Sequence, residues 1–279
     1  MFTTLISTTD LSKYLNNTNW RIIDCRFSLA DTEYGRRQYH ENHIPNAIYA
    51  HLNEDLSGEI IPGKTGRHPL PEIAVISQTF TKWGIDESIQ VVAYYDDMGG
   101  MVAARLWWML RWLGHQKVAV LDGGWKTWQQ EDRPVSKEIP KPVAKKFTAN
   151  PKANYIVDAD FVFANLENPA VRLFDSRSAD RYQGENETID AVAGHIPGAI
   201  SLPFAGNLGP DGKFLPREEL QKRFAAHLET EAEQTIFYCG SGVSACHNLL
   251  AIQHAGLGDV LLYPGSWSDW INDPGRPVE

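Results

Sequence analysis

The chain has 279 residues, long enough for two domains of ordinary size, and its 43% hydrophobic and 22% charged content is that of a globular protein and not of a disordered one. A net charge of −9 argues against nucleic-acid binding, so an anionic ligand must be held by local Arg or Lys. Three Cys make no disulfide framework and fit a reduced, cytoplasmic setting; the first residues lack the basic-then-apolar pattern of a signal peptide, and no apolar run is long enough to span a bilayer.

In chain order, the first half reads as strand 20–24, helix 71–83, strand 91–95, helix 100–113 and strand 118–121. Trp107, Trp108 and Trp112 fall at helical spacing and read as core. Residues 137–152 hold five Lys and three Pro, follow neither periodicity and read as a linker. The second half reads as strand 171–175, a further strand at 199–202, helix 216–228, strand 235–238, helix 244–255 and strand 260–263. Strands alternating with helices predict an α/β protein whose parallel sheets are covered by helices on both faces.

The two halves repeat each other. Arg21-Ile22-Ile23-Asp24-Cys25-Arg26 matches Arg172-Leu173-Phe174-Asp175-Ser176-Arg177, and each is followed by His-Ile-Pro, at His43 and at His195. Later, Asp122-Gly123-Gly124-Trp125 matches Pro264-Gly265-Ser266-Trp267, and Trp128 matches Trp270. Landmarks in one order at a nearly constant offset indicate tandem duplication. The division expected is a domain at 1–136, a linker at 137–152 and a domain at 153–279, in a chain that needs no second copy.

The strongest chemical signal is the loop Cys239-Gly240-Ser241-Gly242-Val243-Ser244-Ala245. It follows the apolar run Ile236-Phe237-Tyr238 and precedes Asn248, Leu249, Leu250, Ile252 and Ala255 at helical spacing. A thiol is thereby placed between a strand and a helix N-terminus, where unsatisfied N–H groups and the helix dipole favour an anion and hence the reactive thiolate. Small residues let backbone N–H groups approach the sulfur closely. Cys246 and Cys25 read as packing. The first half has Tyr95-Asp96-Asp97-Met98 at the equivalent strand end, with no thiol.

On these residues the chain resembles the two-domain rhodanese-type sulfurtransferases, over essentially its whole length. The loop is most similar to that of the 3-mercaptopyruvate enzymes, with Ser244 where Thr is usual; thiosulfate-preferring relatives carry basic residues where Gly240 and Ser241 stand. The resemblance implies two tandem domains, the first catalytically silent and forming a wall of the cleft. It implies that Cys239 takes sulfane sulfur as a persulfide and passes it to cyanide or a thiol, a thioredoxin-like protein among the acceptors. Arg181 matches the substrate-binding arginine, the backbone of Gly240, Gly242, Val243 and Ser244 lines the loop, and Ser241 matches a proposed proton relay. His68, in Arg67-His68-Pro69-Leu70-Pro71, falls near a relay histidine that the family supplies from the first domain. Two departures stand out: the second arginine that mercaptopyruvate enzymes carry shortly after the first has no counterpart in residues 185–193, and the relay carboxylate falls at His51. Thiosulfate therefore stays open as donor, and a non-turnover persulfide carrier stays open as a role.

Other readings fare worse. Arg177 and Arg26, each two residues past a strand-end Asp, read as loop-holding ion pairs, and His43 and His195, repeated in both halves, read as structural. The loop fits the dinucleotide pattern Gly-x-Gly-x-x-Ala, but the next strand ends in Pro264-Gly265 without the acid that would hold a ribose. A cysteine phosphatase needs Arg six places after the nucleophile, where Ala245 stands. The nine His and three Cys show no paired ligand spacing, so neither a metal nor another cofactor is expected.

Overall fold

Two parallel sheets organise the chain, in a computed structural model that describes residues 1–96, 99–228 and 233–279. Asp97 and Met98, in the stretch compared with the thiol loop, lie outside the described residues. The strands are β1 Leu5–Ile6, β2 Trp20–Asp24, β3 Ala47–Tyr49, β4 Gln90–Tyr94, β5 Val118–Leu121, β6 Val171–Asp175, β7 Ile200–Ser201, β8 Gln234–Tyr238 and β9 Leu261–Leu262. The first sheet has the order β1-β5-β4-β2-β3 and the second β7-β6-β8-β9. Every residue of β4 and β5 is buried, as a sheet covered on both faces requires.

The predicted helices form as Ile73–Lys82, Met101–Trp112, Arg217–Leu228 and Ala245–Ala255. Met101–Trp112 is buried from Val102 onward, and within it Trp108 and Trp112 stack at 5.6 Å. Strands β1 and β3 went unread because two or three residues are too short to show alternation. In the second sheet β9 shrinks to two residues of the expected four.

The duplication extends to individual contacts. In one sheet Asp24 at the end of β2 pairs in register with Tyr94 of β4; in the other Asp175 at the end of β6 pairs with Tyr238 of β8. Each aspartate binds the arginine two residues on, at 2.6 Å for Asp24–Arg26 and 2.7 Å for Asp175–Arg177, with all four side chains buried. Each guanidinium lies over a tryptophan, Arg26 at 4.7 Å from Trp125 and Arg177 at 4.9 Å from Trp267. The two His-Ile-Pro histidines stack on tyrosines, His43 on Tyr39 at 4.1 Å and His195 on Tyr182 at 3.8 Å, and their Nδ1 atoms bond the carbonyls of the same tyrosines. Trp128 and Trp270 donate to the carbonyls of Pro134 and Pro277.

The chain divides into two compact units whose membership is not continuous in sequence. One comprises Met1–Gly58, Pro71–Lys152 and Pro210–Phe214; the other comprises Glu59–Leu70, Ala153–Gly209 and Leu215–Glu279. This differs from a simple cut at residues 137–152 in two exchanges. Glu59–Leu70 packs with the second unit because its polar backbone is satisfied there: Arg67 N donates to Ser268 Oγ at 3.0 Å, and Thr65 O accepts from Asn272 Nδ2 at 2.9 Å. Pro210–Phe214 joins the first unit, where Phe214 N donates to Asp122 Oδ1 at 2.9 Å. Residues 137–152 carry no regular structure and belong to the first unit. Among the described residues, no helix is long and apolar enough to cross a membrane.

Candidate active site

The site lies within the second unit, at the carboxyl ends of its parallel strands, where ligands of such sheets collect. Strand β8 ends at Tyr238, Cys239 follows, and helix Ala245–Ala255 begins six residues later. The loop is pinned from the far side: Ser266 Oγ accepts from Cys239 N at 3.1 Å, while Trp267 N and Ser268 N donate to the carbonyls of Cys239 and Gly240 at 2.9 Å. With its carbonyls thus engaged, the loop leaves the N–H groups of Gly240, Ser241, Val243 and Ser244 without a protein acceptor among the described residues. A cluster of free amides before a helix is suited to an anion.

Gly242 makes the turn, at φ 72°. A Cβ there would stand 2.2 Å from the Pro264 carbonyl oxygen, so both the dihedral and the space demand glycine. Gly242→Ala is expected to lower the thermal midpoint by the equivalent of at least about 1–2 kcal/mol. Gly63, at φ 73° with nothing within 4 Å, supplies the control. Its alanine variant should lose less, and equal losses in the two melts would show that the Pro264 contact is immaterial.

The side chains named from the sequence converge here. Ser241 Oγ and His68 Nδ1 share a hydrogen bond of 2.8 Å, with both residues buried. His68 reaches Ser241 because Glu59–Leu70, although it lies in the first half of the sequence, packs with the second unit. Arg181 lies in a short helix, Ala179–Tyr182, and its Nη1 and Nη2 stand 3.6 Å from where a Cβ on Gly240 would sit. Cys239 is 1% exposed, and solvent reaches the site at the arginines, whose side chains are 16% exposed for Arg181 and 28% for Arg67.

Arg67 is the residue the sequence reading passed over. Its Nη2 stands 2.8 Å from the same Gly240 Cβ position, closer than Arg181. The available signal was its place beside His68: a segment that delivers the histidine to the loop delivers its neighbour too. Burial, then repulsion from Arg181, pushes the Arg67 guanidinium pKa down, while the negative charge of Cys239 and Glu187 pulls it up.

Contacts bear on three further positions. Cys246 is fully buried and donates its Sγ–H to the Gly242 carbonyl at 3.3 Å, which is packing. His51 cannot stand in for the relay carboxylate, because both ring nitrogens are committed in the first unit. Its Nδ1 accepts from Asn53 N and Glu54 N, which leaves Nε2 to donate to Thr32 O at 3.0 Å. His51 also forms, with Glu33 and Glu54, the one group among the described residues with metal-ligand spacing. Arg36 pairs with Glu33 at 3.0 Å and Glu54 at 2.7 Å and offsets one of the two carboxylate charges, and the His51 Nε2 proton is given to Thr32 O.

Comparison with known proteins fits this geometry. A family model, that of the rhodanese-like domain, matches residues 7–131 and 158–273. A curated relative from Pseudomonas aeruginosa, named probable 3-mercaptopyruvate sulfurtransferase, is 45% identical over 276 residues, 98% of this chain and 97% of the relative. The thiosulfate sulfurtransferase of Bos taurus is 34% identical over 256 residues, 90% of this chain and 85% of the relative. Among solved structures, SseA from Escherichia coli, a 3-mercaptopyruvate sulfotransferase, superimposes with a TM-score of 0.81 at 27% identity, covering 96% of this chain and all of that one.

Proposed function

We propose that this chain, which belongs to the rhodanese-like domain family and is a sulfurtransferase, takes its sulfur from 3-mercaptopyruvate and delivers it to a thiol or to cyanide. The Cys239 thiolate attacks the donor sulfur, and the donor's carbon–sulfur bond breaks with its electron pair left on carbon as the enolate of pyruvate. The proton of the donor thiol moves to that carbon, giving pyruvate and a Cys239 persulfide anion. An acceptor nucleophile then takes the outer sulfur, the sulfur–sulfur bond breaks, and its electron pair restores the thiolate. The loop amides of Gly240, Ser241, Val243 and Ser244 stabilise the anionic sulfur, and Arg181 holds the carboxylate.

The observation that carries this donor is the 2.8 Å bond between Ser241 and His68 two residues from the nucleophile. An enolate leaving group needs a proton delivered; sulfite, which thiosulfate would release, does not. A hydroxyl–imidazole pair has work to do only with the first donor. The thiosulfate reading rests on the Bos taurus relative and its kin. A thioredoxin-like protein is a suitable acceptor in a reducing cytoplasm, where the free Cys25, Cys239 and Cys246 fit.

Steady-state rates with each donor and cyanide decide the matter. The expected result is a higher kcat/KM for 3-mercaptopyruvate; a preference for thiosulfate overturns the donor assignment, and one turnover without a second makes the protein a carrier. Ser241→Ala is expected to lower kcat with 3-mercaptopyruvate on the order of 10²-fold and to cost far less with thiosulfate. Equal losses with both donors would remove the relay.

A further inference from the structure

We propose that Arg67 is the second guanidinium of the donor subsite, gripping the donor's carboxylate together with Arg181. This rests on the donor reading above and deepens it. Residues 185–193 hold no arginine, yet the structure places two guanidinium groups against Gly240, one from each of two distant segments.

The stretch that lacks an arginine supplies acids instead, and they aim the two cations. Glu187 takes Arg181 Nε at 3.0 Å and Nη2 at 2.9 Å. Asp190 bridges the pair, with one carboxylate oxygen on Arg181 Nη2 at 2.9 Å and the other on Arg67 Nη1. Both acids are buried. After these bonds, Arg67 Nη2 and Arg181 Nη1 have no hydrogen-bond partner among the described residues, and both lie at Gly240, next to the nucleophile. Arg67 Nε is likewise buried and unpartnered. Gly240 leaves the space over the loop to Arg67, whose Nη2 a Cβ there would push aside. Two guanidinium groups and two carboxylates cancel in charge, so the subsite suits one carboxylate better than a dianion.

The test is binding in a Cys239→Ser background, which cannot turn over, with 3-mercaptopyruvate as titrant in a calorimeter. Arg67→Met is expected to weaken the Kd on the order of 10- to 100-fold, as is Arg181→Met. Arg67→Lys should recover only part of the loss, because an ammonium cannot offer a planar fork. If Arg67→Met melts below the assay temperature, Arg67→Gln replaces it. A folded Arg67 variant that binds the donor as tightly as the parent, beside an Arg181 variant that does not, overturns the proposal, and so does full recovery by Arg67→Lys. A parent that binds thiosulfate but not 3-mercaptopyruvate overturns the donor reading instead. The Arg67 variants are then titrated with thiosulfate, and the assignment stands only if they lose affinity for it.

Discussion

Cys239→Ser is expected to abolish repeated sulfur transfer, with kcat down on the order of 10⁴-fold or more, while the fold and the thermal midpoint stay close to those of the parent. A hydroxyl is nearly isosteric with the thiol, so the buried site keeps its packing. What it loses is an atom that can be an anion near neutral pH and can hold a second sulfur. The sharper readout is mass spectrometry of the parent after exposure to donor. The peptide carrying Cys239 should gain one sulfur atom, and the peptides of Cys25 should not. Cys246 shares the nucleophile's neighbourhood and must be separated from it by fragmentation; its bond to the Gly242 carbonyl predicts that it stays unmodified. Sulfur found on Cys246 or Cys25, or substantial turnover by Cys239→Ser, would sink the mechanism.

The proposed nucleophile was legible in the sequence because its signals are local. An apolar run, a thiol, small residues and a helical repeat follow one another within 235–255, and strand β8, the loop and helix Ala245–Ala255 reproduce them. The duplicated packing was legible for a similar reason: Asp24 with Arg26, and Asp175 with Arg177, sit two residues apart, so strand geometry alone brings them together. Arg67 was not legible, and the reason is topological. Its charge acts on a loop more than 170 residues away, through a segment that sequence order assigns to the other half. Nor could spacing show that Glu187 and Asp190 would aim two arginines rather than sit in solvent, the ordinary place for such acids. Whether His51 replaces the relay carboxylate could not be read from its position in the sequence, because the answer lies in its contacts: a histidine whose Nδ1 caps a helix start has already spent its acceptor.

The second large effect concerns the twin aspartates, and the two halves should respond differently. In each, Asp→Asn leaves a buried guanidinium short of its countercharge, a change worth about 3–5 kcal/mol when no other acid is near. Arg26 spends its Nη2 on Asp24 and the Asn42 carbonyl. Arg177 spends its Nη2 on Asp175 and the Gly194 carbonyl but also has Glu187, itself buried, at 3.4 Å from Nη1. Asp24→Asn should therefore destabilise more than Asp175→Asn in urea unfolding, because Arg177 keeps a carboxylate within ion-pair distance, whereas the other acid whose charge acts on Arg26, Asp96, forms no ion pair with it. The functional effects should run the other way. Glu187 is the acid that aims Arg181, and with Asp175 neutralised Arg177 draws harder on Glu187 and loosens its grip. Asp175→Asn is thus expected to raise the donor KM several-fold at temperatures where it is fully folded, whereas Asp24→Asn leaves KM alone under the same condition. A KM increase of equal size in both variants would mean that lost stability, and not the chain from Asp175 through Arg177 and Glu187 to Arg181, governs donor binding.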